Sequence, residues 1–413
     1  MRAGREGFAI KHGINFTVLL KKYFSKTVRK TLGSIARISP IKTNRFGRPD
    51  RILQVAPWLQ TPAQAPVPPY VESVNVLSER SVRIIAPPKK VRDSDVNPWE
   101  WSRQWTPRSR RVVILKRARV CHPHTIVAPD QAIRWELSPL WNITPAEHPL
   151  LRCPLLPAEL FLKGRTLCLS VDSGDNYFHW LLDLLPRLKV IEDAGLKISG
   201  FDHYLVNAVD KGFQRESLLR WGIPLEKVVA TNHHRHLVTE TLVVPSMAEQ
   251  SGLFDAADLT RLREILLHHN HKGRQSFPKR FFISRQNTKG RNLANFAEVA
   301  AILKKYGFET VQLETLAFPD QIELFSGAQM ILAAHGAGLT NFLFCRPGTK
   351  VLELVNPNYA HQMYYYLATV LGLDYHYLIG SVDNQQTEPV FQDISIDVKL
   401  VDWQLSKWVQ DSQ

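Results

Sequence analysis

Four cysteines in 413 residues are few, and none forms a C-x-x-C pair. Cys121, Cys153, Cys168 and Cys345 therefore offer neither a zinc ribbon nor a disulfide framework, and their scatter suits a reducing compartment. No self-similar period is present, which argues against a solenoid or a propeller. The G-x-S-x-G elbow of serine hydrolases is missing, so the string His335-Gly336-Ala337-Gly338 has no nucleophile to serve. A Walker A sequence is missing too, as is a G-x-G-x-x-G fingerprint with an acid about 20 positions on. P-loop and nicotinamide-dependent chemistry are thereby disfavoured.

Charge is scarce outside one region. The formal net charge is +14, yet residues 1–50 hold 12 Lys or Arg against only Glu6 and Asp50, leaving +4 for the other 363 residues. A dedicated nucleic-acid binder would be basic over a whole face, so no nucleic-acid partner is expected. Within the basic arm the apolar stretch Ile14 to Leu20 is far short of the about 20 residues that span a bilayer. Phe16, Leu19, Tyr23 and Phe24 interleaved with Lys21, Lys22 and Lys26 suit an anionic membrane surface. A solvated tail is the alternative. The first residues do not read as a secretory signal, so the expected location is cytoplasmic, peripheral at the inner membrane face.

What is present is a long alternation of strand and helix signals. Residues 1–79 read as the basic arm and a linker, because Ala56–Tyr70 carries five prolines and no charge. Residues 80–275 read as a first domain that opens with short strands. Residues 276–395 read as a second domain, with strands at Arg280–Ser284, Glu309–Leu313, Met330–Ala334, Lys350–Val355 and Tyr375–Ile379 separated by helical segments. Such alternation predicts an α/β chain with two doubly wound, Rossmann-like parallel sheets. Residues 396–413 read as a closing helix, with packing back on the first domain one arrangement open to it.

Ligands in such sheets bind beyond the carboxyl ends of the strands. Ala333-Ala334-His335-Gly336-Ala337-Gly338-Leu339-Thr340-Asn341 occupies that position, and its glycines and helix-start amides suit a phosphate; a plain tight turn is the competing reading. Arg285 and Arg291 follow another strand and have the planar donors that clamp a pyrophosphate. Glu353, inside an apolar strand, needs a partner: ribose hydroxyls, or a core salt bridge with Arg285 or Arg346. In the first half His179 and Asp183 share one helix face, where either could deprotonate a hydroxyl. Against this stands a structural pairing of Asp183 with Arg187, also four apart. Asp93-Ser94-Asp95 has a metal-binding form but no strand before it. The histidine clusters 233–236 and 268–271 lack nearby carboxylates or thiolates, so no metal is expected.

Taken together, Asn176-Tyr177-Phe178-His179-Trp180 with Asp183, Pro186, Arg187 and Leu188, the run from Ile283-Ser284-Arg285 to Glu353-Leu354, and Gln321 resemble glycosyltransferase family 61. That family includes bacterial capsular-polysaccharide proteins, plant xylosyl- and arabinosyltransferases, and O-linked N-acetylglucosaminyltransferases. The resemblance covers roughly residues 100–380. It implies a GT-B arrangement of two Rossmann-like domains facing a cleft, with inverting, metal-independent transfer and no cofactor beyond the nucleotide-sugar donor, a UDP-sugar. The acceptor would be a glycan or lipid-linked hydroxyl in polysaccharide biosynthesis. The donor site would comprise Arg285, Arg291, Asn295, His335, Gly336, Ala337, Gly338, Asn341 and Glu353, with Asp183 as base and His179 as second candidate. The family's R-x-[IL]-x-N-E pattern appears as Arg291-Asn292-Leu293-Ala294-Asn295-Phe296, with Phe296 in place of the acid. A non-catalytic nucleotide-sugar or glycan-binding protein on the same fold is the reading from another class.

Overall fold

A computed structural model describes residues 49–54, 67–76, 83–84, 88–92, 104–105, 107, 109–141, 143–153, 156–268, 276–286, 288–383 and 386–411. Most of the basic arm, Asp93-Ser94-Asp95 and His269–His271 lie outside these residues. Among the described residues the chain forms two large sheets, of ten and six strands, and a small two-stranded one.

The principal strands of the first sheet are β1 (Arg111–Lys116), β2 (Leu160–Cys168), β3 (His203–Val206), β4 (Val228–Ala230) and β5 (His236–Pro245). Its helices are α1 (Pro186–Asp193), α2 (Gly212–Arg220) and α3 (Ala256–His268). Among these principal strands β5-β2-β3-β4 are parallel neighbours, in that order. The rest of the sheet corrects the expectation of a doubly wound first unit. β5 pairs antiparallel with β1 and with Arg119–Cys121, which continues through antiparallel Thr125–Val127 and Ala132–Arg134. Chain length accounts for the pairings from Arg119 to Arg134, because a parallel crossover needs a dozen or more residues and these three strands are joined by tight turns, whereas β1 and Arg119–Cys121 meet β5 from far away in sequence. One such turn is Pro129-Asp130-Gln131, where Asp130 Oδ1 accepts from Ala132 N at 3.2 Å and Gln131 has φ +64°. Two segments expected in the arm and linker are also strands of this sheet: Arg51–Leu53 and Val71–Val76.

The second sheet follows the sequence closely. β6 (Arg280–Ile283), β7 (Glu309–Val311), β8 (Met330–Ala334), β9 (Lys350–Val355) and β10 (Asp374–Ile379) are all parallel, in the order β7-β6-β8-β9-β10. β8 is buried at every position, as an internal strand covered on both faces should be. Its helices are α4 (Phe296–Lys305), α5 (Phe318–Ser326) and α6 (Met363–Val370). Lys89–Lys90 adds to the free edge of β10, so part of the segment assigned to the first unit belongs to the second sheet. The closing helix α7 (Val398–Gln410) likewise packs on the second unit, not the first. Val401, Leu405 and Trp408 face Leu332 and Leu352, and Lys305 Nζ meets Asp402 at 2.7 Å.

The two units are not separated by an open gap along their length. One buried apolar cluster runs from Leu167 and Val243 of the first sheet to Ile331 and Tyr377 of the second. Arg263 of α3 donates to Cys345 O at 2.8 Å, and the Tyr177 hydroxyl donates to Asn341 Oδ1 at 2.6 Å.

Candidate active site

In each sheet the chain reverses its direction of winding at one point. In the first it happens between β2 and β5, in the second between β6 and β8, and the candidate residues gather at the carboxyl ends of those strands.

Beyond β2, the Asn176 side chain caps a helical turn by accepting from Phe178 N at 2.9 Å. The sequence predicts one helix from Tyr177 to Ala194. The structure breaks it with a π-turn at Trp180–Leu184, in which Leu185 N reaches back to Trp180 O at 3.1 Å. Pro186 accounts for the break: it has no N–H, and its ring would strike the carbonyl four residues earlier in a regular helix. Asp183 sits in this wider turn and is 4% exposed. His179 Nδ1 donates to Asp183 Oδ2 at 2.6 Å, and Ser251 Oγ donates to the same oxygen at 2.7 Å. Arg187 turns away from Asp183 and spends its donors on Ser170 O and Pro245 O, so the purely structural Asp183–Arg187 pair does not form. The His179 side chain retains 23% exposure, against 3% for Asp183. With Nδ1 committed to the carboxylate, Nε2 is the ring nitrogen left for a ligand. Asp183 thus holds the ring, and His179 has the more exposed side chain of the pair.

At the second crossover Arg285 follows β6 and lies directly against Gly336, which follows β8. A Cβ at Gly336 would collide with the Arg285 guanidinium. Gly338 is confined by Leu313 and Ile283. Ala337–Phe344 forms a 3₁₀ helix. Arg291, at φ +59°, holds its guanidinium over the Tyr359 ring, 5.1 Å from the centroid. Burial, and then the neighbouring Arg291, push the Arg285 guanidinium down to about 10. The Nε atoms of both arginines are buried without a partner, and neither arginine has a carboxylate partner among the described residues. Two like charges held together in this way favour an anion between them.

His335 is 4% exposed and donates Nδ1 to Glu353 Oε1 at 2.5 Å. The other oxygen of Glu353 accepts from the Tyr375 hydroxyl at 2.6 Å. Glu353 is fully buried, and its partners are His335 and Tyr375 in place of a salt bridge to Arg285 or Arg346. Two further residues expected at the donor site are hydrogen-bonded within the protein. Asn295 clamps the main chain of Ile396, giving Nδ2 to its carbonyl and accepting its N–H at 2.8 and 3.0 Å. Asn341 is fully buried between Tyr177 and Gln321, joining the two units. Phe296, where the family has an acid, stacks on Phe282 at 5.4 Å.

An aromatic wall connects the two clusters. The Phe178 ring lies 5.1 Å from His179 and 5.8 Å from Tyr364, and Tyr364 lies 5.0 Å from His335. Tyr359 and His361 flank His335 at 5.7 and 5.8 Å. Sequence reasoning missed Ser251, Tyr359, His361, Tyr364 and Tyr375. Ser251 had one available signal, its position in the loop after a strand of the first sheet.

His179, Asp183, Arg285 and His335 all fall within a single matched segment. Residues 177–352 match the family model described as Glycosyltransferase 61. The glycosyltransferase 61 segment begins at Tyr177, two residues before His179, and ends one residue before Glu353. Among curated proteins, the chain is 27% identical over 267 residues to a protein O-linked-mannose β-1,4-N-acetylglucosaminyltransferase 2 of Tetraodon nigroviridis, covering 56% of this chain and 45% of that one. It is 30% identical over 89 residues to a β-1,2-xylosyltransferase of Arabidopsis thaliana, covering 21% and 16%. It is 38% identical over 104 residues to a β-1,2-xylosyltransferase of Oryza sativa subsp. japonica, covering 25% and 18%. The chain spans less than half the length of these relatives. The matched segment is less than half of the chain, the relatives it resembles are named as glycosyltransferases, and the mixed α/β architecture with its parallel strands is consistent with a Rossmann-like glycosyltransferase fold.

Proposed function

We propose that this protein transfers a sugar from a nucleotide-sugar donor, UDP-linked, to a hydroxyl of a glycan acceptor, with inversion and without a required metal. The observation that carries the reading is Arg285 packed on Gly336 at the crossover of the second sheet, with Arg291 beside it. The leaving diphosphate gains negative charge in the transition state, and preorganised cations stabilise it more there than in the ground state. His335, held by Glu353, forms the wall behind that site. In the GT-B arrangement the donor lies on the second unit and the acceptor on the first.

His179 is the base in this scheme. Its Nε2 takes the acceptor's hydroxyl proton as the oxygen bonds to the anomeric carbon and the bond to the phosphate oxygen breaks. Asp183, with Ser251, orients the ring and stabilises the imidazolium.

Titration with UDP tests the donor half. Arg285→Ala is expected to weaken UDP binding at least about tenfold, the loss of roughly one charge-assisted contact. Unchanged affinity would remove Arg285 from the site. Transfer is expected to persist in a chelator, and its loss on chelation would refute metal independence.

A further inference from the structure

A separate recess of about 190 Å³ opens at the carboxyl ends of the parallel strands of the first sheet. It borders Asp175, the residue before the Asn176 cap that begins the His179 helix. Its character is opposite to that of the arginine site. Asp172, Asp175 and Asp210 line it against the single cation Lys211. His122, also on its wall, is pushed down to about 4 by burial and then by Arg235, and is neutral at physiological pH.

Two amides on this wall are incompletely bonded. Gln214 is fully buried; its Oε1 accepts from Lys211 N at 2.9 Å, but its Nε2 has no partner. Asn232 gives its Nδ2 to Asp210 Oδ2 at 3.0 Å, but its buried Oδ1 has no partner. A buried donor and a buried acceptor thus stand unsatisfied in one recess, where native proteins pair nearly all such groups. A diphosphate would face three carboxylates here, and an ammonium group could not accept from Gln214. A hydroxyl both donates and accepts, so a neutral polyhydroxylated ligand satisfies both amides and the carboxylates together.

We propose that this recess is a carbohydrate-binding subsite, seating a pyranose of the acceptor glycan beside the turn that carries His179. The assignment to an acceptor rests on the transferase reading above; the binding of carbohydrate does not.

Saturation-transfer NMR on the full chain tests it, with the methyl pyranosides of glucose, galactose, mannose and xylose as probes. At least one is expected to bind saturably, and Asn232→Ala and Gln214→Leu are each expected to weaken that binding about tenfold or more. UDP affinity should be unchanged in both variants. Should Gln214→Leu fail to fold, Asn232→Ala and the exposed-site variant Asp210→Asn carry the same test. Absence of saturable binding by every glycoside, or wild-type binding in the variants that fold, overturns the proposal; so does tighter binding of inorganic phosphate than of any glycoside, reversed by the same variants. Arg285→Ala should lose UDP yet keep the glycoside. A wild-type protein that binds glycoside but not UDP would therefore sink the donor reading and leave this one standing.

Discussion

His179 and His335 each donate Nδ1 to a carboxylate, but in different surroundings. In the first unit the partner is four residues along the same helical segment, and the histidine side chain is 23% exposed. In the second unit the partner is 18 residues away on the neighbouring strand, and the histidine side chain is 5% exposed. The same pair of groups thus serves two purposes. An open imidazole with an oriented ring can exchange a proton with a ligand. A closed one, ringed by Tyr359, His361 and Tyr364, fixes the shape of a wall. The recesses follow the same contrast: arginines without carboxylate partners at the second crossover, carboxylates and incompletely bonded amides at the first.

The largest expected effect breaks the comparison at its open end. His179→Ala should lower kcat about a thousandfold, the scale of a lost general base, while leaving UDP affinity and Tm near wild type. Asp183→Asn should cost less, about a hundredfold, because the ring remains but loses the carboxylate that orients it. Steady-state kinetics of the two variants rank the roles. A greater loss from Asp183→Asn than from His179→Ala would make Asp183 the base and reverse the assignment.

How far the sequence discloses such roles depends on where a residue's partner lies. The His179–Asp183 pair was legible because helical spacing alone brings residues four apart together. The His335–Glu353 pair was not, since it depends on the register that sets Ala333 opposite Glu353 across β8 and β9. The strands of the second sheet were readable because internal parallel strands leave continuous apolar runs. The first sheet was misread where short antiparallel strands pair through contacts distant in sequence. Asn295 and Asn341 show a different limit. Their chemistry suits a ligand, but it suits a main-chain clamp or a bridge between units equally, and composition does not distinguish them. The π-turn had a visible cause in Pro186, although a proline marks the place of a break and not its geometry.

A smaller effect isolates the arginine site without deleting a charge. Gly336 has extended backbone, φ 169°, which any residue adopts, so Gly336→Ala carries no backbone strain. Its methyl group would occupy the place of the Arg285 guanidinium, the far end of a flexible side chain that can move aside. Stability should change by less than about 1 kcal/mol, while UDP binding should fall about tenfold, as in Arg285→Ala. Wild-type UDP affinity in Gly336→Ala would show that the position of Arg285 against this glycine does not matter to the ligand.

The smallest effect lies in the closed wall and appears in stability. His361, 4.4 Å from Tyr359 and 5.8 Å from His335, is pushed down to about 4 by burial first, then by His335 and Arg291. The folded protein therefore keeps this ring neutral at pH values where the unfolded chain, titrating near 6.5, takes up a proton. Above about 6.5 both states are neutral and the ring contributes no pH dependence. Between about 6.5 and 4 the unfolded state binds more protons, so stability falls as pH falls; below about 4 both states are protonated and the dependence ends. Replacing His361 by Phe removes one titrating group, so denaturant midpoints measured across this window should decline less steeply than in the wild type. The difference should vanish above pH 7. An identical slope in both proteins would show that His361 is solvated and charged in the native state, and that the wall around His335 is open like its counterpart.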